Sequence, residues 1–139
     1  MDFKVGCVSL FKDKLLVLKE NKSKMIFENV NLKTLKKVKV DGCVIKEGQK
    51  CDYLVVEPKD KIEHFVELKG SDVKHAEKQL AATITQLSSN AKEKAKCAYV
   101  VTVKNPLIDS EIQRIKIRFR REFNSSFVVK NSPLVVEIR

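Results

Sequence analysis

Apolar and polar residues alternate along the chain in blocks of distinct period. Two short apolar runs, residues 53–56 and 65–68, flank Pro58-Lys59-Asp60-Lys61. Runs of that length around Pro and Asp predict a β-hairpin. Gly70-Ser71-Asp72 then breaks the strand and offers a helix N-cap. Val73, Ala76, Leu80, Ile84 and Leu87 recur at helical spacing, which predicts a helix over residues 73–88. Residues 97–103 form a nearly continuous apolar run, as expected of a buried strand reached by a crossover.

The flanking stretches are less regular. Residues 3–18 read as two short strands turned by Lys12-Asp13-Lys14, with a helix for part of them as the alternative. A turn at residues 21–24 leads to a strand over residues 25–27. Residues 29–39 carry so many lysines that they read as a helical turn or as an edge segment protected from aggregation. Residues 38–45 resume strand character, and residues 46–50 turn the chain back. After a turn at Asn105-Pro106, Ser110 and Gln113 form a capping box for a helix with Ile112, Ile115, Phe119 and Phe123 inward. Alternation at Ile115, Ile117 and Phe119 makes a strand the rival. Residues 127–129 and 134–138 close the chain as a hairpin around Asn131-Ser132-Pro133.

Charged residues interrupt the apolar hairpin at three places. Asp52 opens the first strand, and Glu67 and Lys69 lie in the second. Side chains two apart on a strand share a face, so Glu67 and Lys69 point the same way and Leu68 the other. A hairpin symmetric about Lys59-Asp60 sets Asp52 opposite Glu67. Opposed residues have Cβ atoms about 5 Å apart. Two carboxylates at that distance repel unless a cation joins them. Hard oxygen ligands suit Mg²⁺ or Mn²⁺ better than zinc.

Asp52 followed by Glu67-x-Lys69 on the next strand, and then by a capped helix, resembles the active site of the PD-(D/E)XK nuclease superfamily. The resemblance spans about residues 41–103. It implies an α/β (α+β) fold of the restriction-endonuclease-like kind: a mixed central β-sheet flanked by helices, an αβββαβ core with extra strands. Asp52, Glu67, Lys69 and Gln79 would be the catalytic residues, Gln79 matching a glutamine on the following helix of RecB-type members. Asp52, Glu67 and the Leu68 carbonyl would hold Mg²⁺ or Mn²⁺. The chain departs from the pattern in having Cys51, not Pro, before Asp52, and in lacking a Glu-bearing amphipathic helix ahead of the sheet. Glu28 and Asp41 are the candidates for an additional upstream acid.

Composition sets limits on this reading. A chain of 139 residues without repeat, linker or low-complexity tract is expected to be one domain, 1–139. The net charge of +10, from 28 Lys and Arg against 18 Asp and Glu, favours a polyanionic partner such as DNA. Arg114, Lys116, Arg118, Arg120 and Arg121 are the phosphate-contact candidates; an ordinary solvated helix face is the alternative. Few aromatics and no Trp argue against stacking on unpaired bases. No apolar run of about 18 residues is present, so no membrane span is expected. The first residues lack a signal-peptide layout. Cys7, Cys43, Cys51 and Cys97 form no CxxC pair, so free thiols in the cytoplasm are expected and structural zinc is not. His64 is expected at the surface, and His75 beside the site. Four glycines in no phosphate-binding pattern exclude a P-loop.

These features point to a Mg²⁺-dependent DNA endonuclease. The alternatives are a catalytically inactive nuclease-fold module that binds nucleic acid or a protein, and a basic α/β interaction protein with a fortuitous motif. Cutting both strands of a duplex with one site per chain makes a homodimer the expected assembly.

Overall fold

The computed structural model describes residues 6–20, 22–60, 62–88, 92–104 and 107–139. The expected turn at Asn105-Pro106, the helix end at Ser89 and Asn90, and the loop positions Asn21 and Lys61 lie outside those residues. Among the described residues, strand and helix follow in the order β1 (Val8–Phe11), β2 (Leu15–Glu20), β3 (Ser23–Asn29), β4 (Leu35–Lys39), β5 (Tyr53–Val56), β6 (Glu63–Leu68), α1 (Val73–Leu87), β7 (Lys96–Thr102), α2 (Asp109–Phe123), β8 (Ser125–Asn131) and β9 (Leu134–Ile138).

The hairpin and first helix lie where the sequence pattern puts them. The β5–β6 loop holds a short 3-10 turn in which Lys59 takes a left-handed φ of 60°. Its register pairs Tyr53 with Val66 and Leu54 with Phe65, the symmetry expected of a turn centred on Lys59-Asp60. α1 starts at the expected cap: the Asp72 side chain accepts the His75 backbone N–H at 3.0 Å. Val73, Ala76, Leu80, Ile84 and Leu87 are all buried.

Among the described residues, nine strands divide between two mixed sheets. The larger runs β1-β4-β5-β6-β7-β8 and the smaller β2-β3-β9. β4, β5 and β6 form an antiparallel meander; α1 then crosses over to β7, which lies parallel to β6. α2 repeats the crossover to β8, parallel to β7. The protein is thus of the α+β class.

The two faces of the large sheet bury different clusters. Leu54, Phe65, Ala98, Val100 and Phe127 pack with Leu80 and Ile84 of α1 and Phe119 of α2. Tyr53, Val55, Val66, Leu68 and Tyr99 pack with Leu16, Leu18, Met25 and Phe27 of the small sheet. Helices cover one face and a second sheet the other, so all six residues of β6 are buried. A strand covered on both faces reads as a continuous run, which is why the alternation there is weak.

Several expectations for the flanks are overturned. The two strands expected over residues 3–18 do form, as β1 and β2, although they do not pair with each other: β1 lies against β4 and β2 against β3. The 29–39 stretch is no edge, because β4 sits between β1 and β5. The strand expected over residues 38–45 ends at Lys39, where Gly42 takes a φ of 76° that a turn requires and a bulky residue resists. β8 and β9 are no hairpin: β8 joins the large sheet, and β9 runs parallel to β3 in the small one. α2 begins at Asp109, ahead of the expected Ser110 cap, and Glu111 reaches back to the Ile108 N–H at 3.3 Å.

The cysteine expectation is corrected at one pair. Cys7 and Cys43 form a disulfide, with Cα atoms 5.7 Å apart. Sheet pairing brings them together: Lys39 N–H donates to the Cys7 carbonyl, setting the start of β1 beside the turn after β4. Cys51 and Cys97 remain free. No helix among the described residues is long and apolar enough to cross a membrane.

Candidate active site

The candidate site lies where β5 begins and β6 ends. Antiparallel pairing brings those two ends together, and the register of Tyr53 with Val66 steps to Asp52 opposite Glu67. Asp52 is fixed by its neighbour: Oδ2 accepts the Leu68 backbone N–H at 2.8 Å. Leu68 therefore enters the site through its amide. Glu67 shares the helix-covered face with Phe65 and is 2% exposed, a carboxyl group in the middle of the protein.

Electrostatics at this pair favours one proton or one cation. Burial, then the Asp52 charge, pushes Glu67 from an ordinary 4.5 up to about 8. The Lys69 ammonium, 3.2 Å from Glu67 Oε2, pulls the other way and does not prevail. The geometric ion pair and the raised value are compatible. Lys69 is only partly buried, so water screens its charge, whereas Glu67 bears the full cost of desolvation. Asp52 is raised as well, first by burial and then by Glu20 and Asp41, against the Leu68 N–H. Raised to about 8, Glu67 is the carboxyl that keeps its proton at neutral pH.

Two oxygen atoms at the site lack donors. Glu67 Oε1 and Gln79 Oε1 are buried without a hydrogen-bond partner. Gln79 Nε2 donates to the Lys50 carbonyl at 3.0 Å, which fixes the amide orientation and leaves Oε1 as the acceptor. Buried acceptors without donors are costly unless a proton or cation meets them. Carboxylates at 52 and 67 and an amide oxygen at 79 are hard donors, the set that suits Mg²⁺ or Mn²⁺. Among the described residues no group of three or more His, Cys, Asp and Glu is arranged to hold a metal. Two carboxylates with amide or backbone oxygens remain the donor set.

Supporting contacts hold the site in place. Thr83 Oγ1 accepts the Cys51 N–H at 2.8 Å and donates to the Gln79 carbonyl at 2.8 Å. Ser23 Oγ donates to the Lys69 carbonyl at 2.7 Å. Next to Gln79 an open cleft of about 430 Å³ is lined by Asp41, Gly48, Gln49, Lys50, His75 and Gln79.

The upstream acids resolve differently. Asp41 follows β4 beside Asp52, whose carbonyl accepts the Val40 N–H at 3.0 Å. Glu28 pairs with Leu15, at the opposite end of the β2–β3 ribbon from Glu20 and Ser23. Glu20, unnoticed in the sequence, comes in its place: Oε1 accepts the Tyr53 hydroxyl at 3.0 Å, and its charge raises Asp52. No local pattern marks Glu20, because only the packing of one sheet on the other brings it there. Thr83, a polar residue beside the apolar stripe of α1, was the visible signal the sequence reading passed over.

His75 is exposed on α1 at the cleft, as expected of a neighbour. His64 is buried, contrary to expectation, on the opposite face of β6. The second apolar sheet over that face explains the difference. On α2, Arg114, Lys116, Arg120 and Arg121 are exposed. Arg118 is clasped by Glu122 at 2.9 Å and Glu77 at 3.5 Å, so its charge is already matched. α1 and α2 share the helix-covered face with Glu67, and the groove between them is lined by Lys74, Lys78, Arg114 and Arg118 alongside Glu77 and Glu111. Compared with protein-family models, with curated proteins and with solved structures, the chain matches none.

Proposed function

We propose that this protein is a Mg²⁺- or Mn²⁺-dependent DNA endonuclease of the PD-(D/E)XK type, with Asp52, Glu67, Lys69 and Gln79 as its site. The observation that carries the reading is the pair of buried acceptors, Glu67 Oε1 and Gln79 Oε1, left without hydrogen-bond partners. The order of antiparallel meander, α1 crossover and parallel β7 is what a restriction-endonuclease-like core would have, and supports the same reading.

In this reading Asp52, Glu67 and the Leu68 carbonyl hold the ion. The bound ion would supply Lewis acidity toward a phosphate oxygen and lower the pKa of a water. Lys69, at 22% side-chain exposure, keeps its ammonium open to solvent. Its ammonium orients the attacking water or stabilises the charge that develops on phosphorus oxygens. Gln79 braces the start of the Asp52 strand through Lys50. Exposed Arg114, Lys116, Arg120 and Arg121 contact backbone phosphates, and two copies of the chain would serve the two strands of a duplex.

One observation favours the second reading, an inactive nuclease-fold module that binds nucleic acid or a protein. Lys69 Nζ stands 3.2 Å from Glu67 Oε2, a contact that a purely structural pair would also make. Calorimetry with Mn²⁺ separates the two. Wild type should bind and Asp52→Asn should not. Lys69→Ala should keep Mn²⁺ binding yet lose about 10²–10³ in cleavage rate on a labelled duplex, a branched DNA or a single strand. Equal Mn²⁺ binding by wild type and Asp52→Asn removes the metal. A wild type inactive on every substrate, with an early-melting Lys69→Ala, establishes the inactive module.

A further inference from the structure

The face of the large sheet turned away from the helices is only partly covered by the small sheet. Residues two apart on a strand share a face, and the register sorts those at the β1–β4 edge into rows. Lys39 stands between Cys7 and Tyr53, and Lys37 between Ser9 and Val55. The next row, Phe11 with Leu35, packs under the small sheet. Ser9 and Lys39, by contrast, are exposed, and Lys37 is half-buried. At this uncovered corner Gly6, Cys7, Ser9, Lys37, Lys39 and Tyr53 line a pocket of about 170 Å³. Its rim is held on one side by the Cys7–Cys43 disulfide and by the Lys39 N–H, which donates to the Cys7 carbonyl at 2.8 Å.

We propose that this pocket binds a phosphate group, with Lys37 and Lys39 as its charged donors and the Ser9 hydroxyl beside them. Among the described residues no carboxylate pairs with Lys37 or Lys39, whereas Lys33, Lys50, Lys69 and Lys94 each have one. Lys37 Nζ stands 5.4 Å from the centre of the Tyr53 ring, a cation–π contact that turns it into the pocket. The Tyr53 hydroxyl is committed to Glu20, so Tyr53 offers the pocket its ring and not a competing polar group. Side chains two apart on a strand start about 7 Å from each other. Two ammonium groups fixed to one face at that spacing repel, and an anion seated between them turns the repulsion into attraction. Donors arriving from two strands call for a ligand with several oxygens. A phosphate supplies them, and lysine serves it as a point charge.

The pocket adjoins the candidate site through the backbone. Val40, the residue after Lys39, donates its N–H to the Asp52 carbonyl at 3.0 Å, and Tyr53 follows Asp52 in β5. The phosphate has two possible sources with the same chemistry. One is a nucleic-acid strand held at Asp52, whose backbone continues past the cut phosphate into the pocket; this source rests on the nuclease reading above. The other is a phosphorylated strand end or free phosphate, which needs no nuclease. The hold is separate from that of Arg114 and Arg121, since α2 packs on the other face of the sheet.

The test uses the metal-free full chain with Cys7–Cys43 intact. Amide NMR spectra are followed at constant ionic strength against inorganic phosphate, a 5′-phosphorylated oligonucleotide, and the same oligonucleotide with a 5′-hydroxyl. Amides of residues 6–9 and 37–39 should shift and saturate. Lys37→Gln combined with Lys39→Gln should abolish those shifts and weaken oligonucleotide binding by about tenfold or more. Lys12→Gln combined with Lys14→Gln removes the same charge from exposed positions outside the pocket, and should keep the shifts. Shifts with both oligonucleotides are the result expected of a strand phosphate. Shifts confined to inorganic phosphate or the phosphorylated end support the pocket and take its ligand to be a free or terminal phosphate. Asp52→Asn should show the same shifts as wild type, so loss of the metal site leaves this test standing. No shift at these amides with any of the three ligands overturns the proposal. So does an equal loss in the two double variants, since net charge alone would then account for binding.

Discussion

Replacing Glu67 with Gln tests the electrostatics of the candidate site at its centre. In the folded protein Glu67 keeps its proton up to about 8, whereas the unfolded chain releases it near 4.5. A carboxyl raised on folding stabilises fully below its unfolded value, and that contribution is lost as pH rises through the folded one. Between the two values the unfolded state binds fewer protons, so each pH unit costs the native state about 1.4 kcal/mol. Over the whole interval, from 4.5 to about 8, the loss is on the order of 5 kcal/mol, an upper figure from the conversion of about 1.4 kcal/mol per unit. For a chain of this size each kcal/mol moves Tm by about 3–5 °C. Glu67→Gln removes the titration and offers Asp52 an N–H donor in place of a like charge. Metal-free Glu67→Gln should therefore melt above wild type at pH 8, and the gap should close toward pH 4.5. His64 is common to both proteins, so its contribution cancels in the difference. Added Mn²⁺ should stabilise wild type at pH 8 by RT ln(1 + [L]/Kd) and leave the variant unmoved. Thermal melts by circular dichroism over a pH series, with and without Mn²⁺, give both numbers. Parallel pH profiles for wild type and variant would refute the buried-acid account, and equal Mn²⁺ stabilisation would refute the role of Glu67 as a ligand.

Other expectations follow from different parts of the fold. Arg114→Ala combined with Arg121→Ala should flatten the log–log salt dependence of duplex DNA binding by about 0.9 per lost phosphate contact. Arg118→Ala should change that slope less, since Glu122 and Glu77 already hold Arg118, and fluorescence anisotropy over a salt series measures the difference. Phe119→Ala should cost about 3–5 kcal/mol in urea unfolding, because Phe119 is fully buried against Phe123 and Phe127. Asp72→Ala should cost about 1 kcal/mol by loss of the bond to the His75 N–H, without affecting Mn²⁺ binding.

The sequence by itself determined what local chemistry controls. A turn centred on Lys59-Asp60 between two apolar runs specified the register that sets Asp52 against Glu67. Gly70-Ser71-Asp72 and a five-residue apolar stripe specified α1, and with it the position of Gln79. These contacts lie close in the chain, so each is announced by its neighbours. Tertiary structure decided the rest. Whether Leu15–Glu20 joins Val8–Phe11 or crosses to another sheet depends on which surface needs covering, and two exposed-looking strands read the same either way. The same competition drew Leu134–Ile138 away from its neighbour in sequence to lie along β3. That second sheet then buried His64 against Phe27 and Tyr99, and carried Glu20 to the Tyr53 hydroxyl. Cys7 and Cys43, 36 positions apart, met only because β1 entered the sheet beside β4. Periodicity records which face of an element is buried, but not what buries it, and the groups that meet at His64 and at Glu20 are of the second kind.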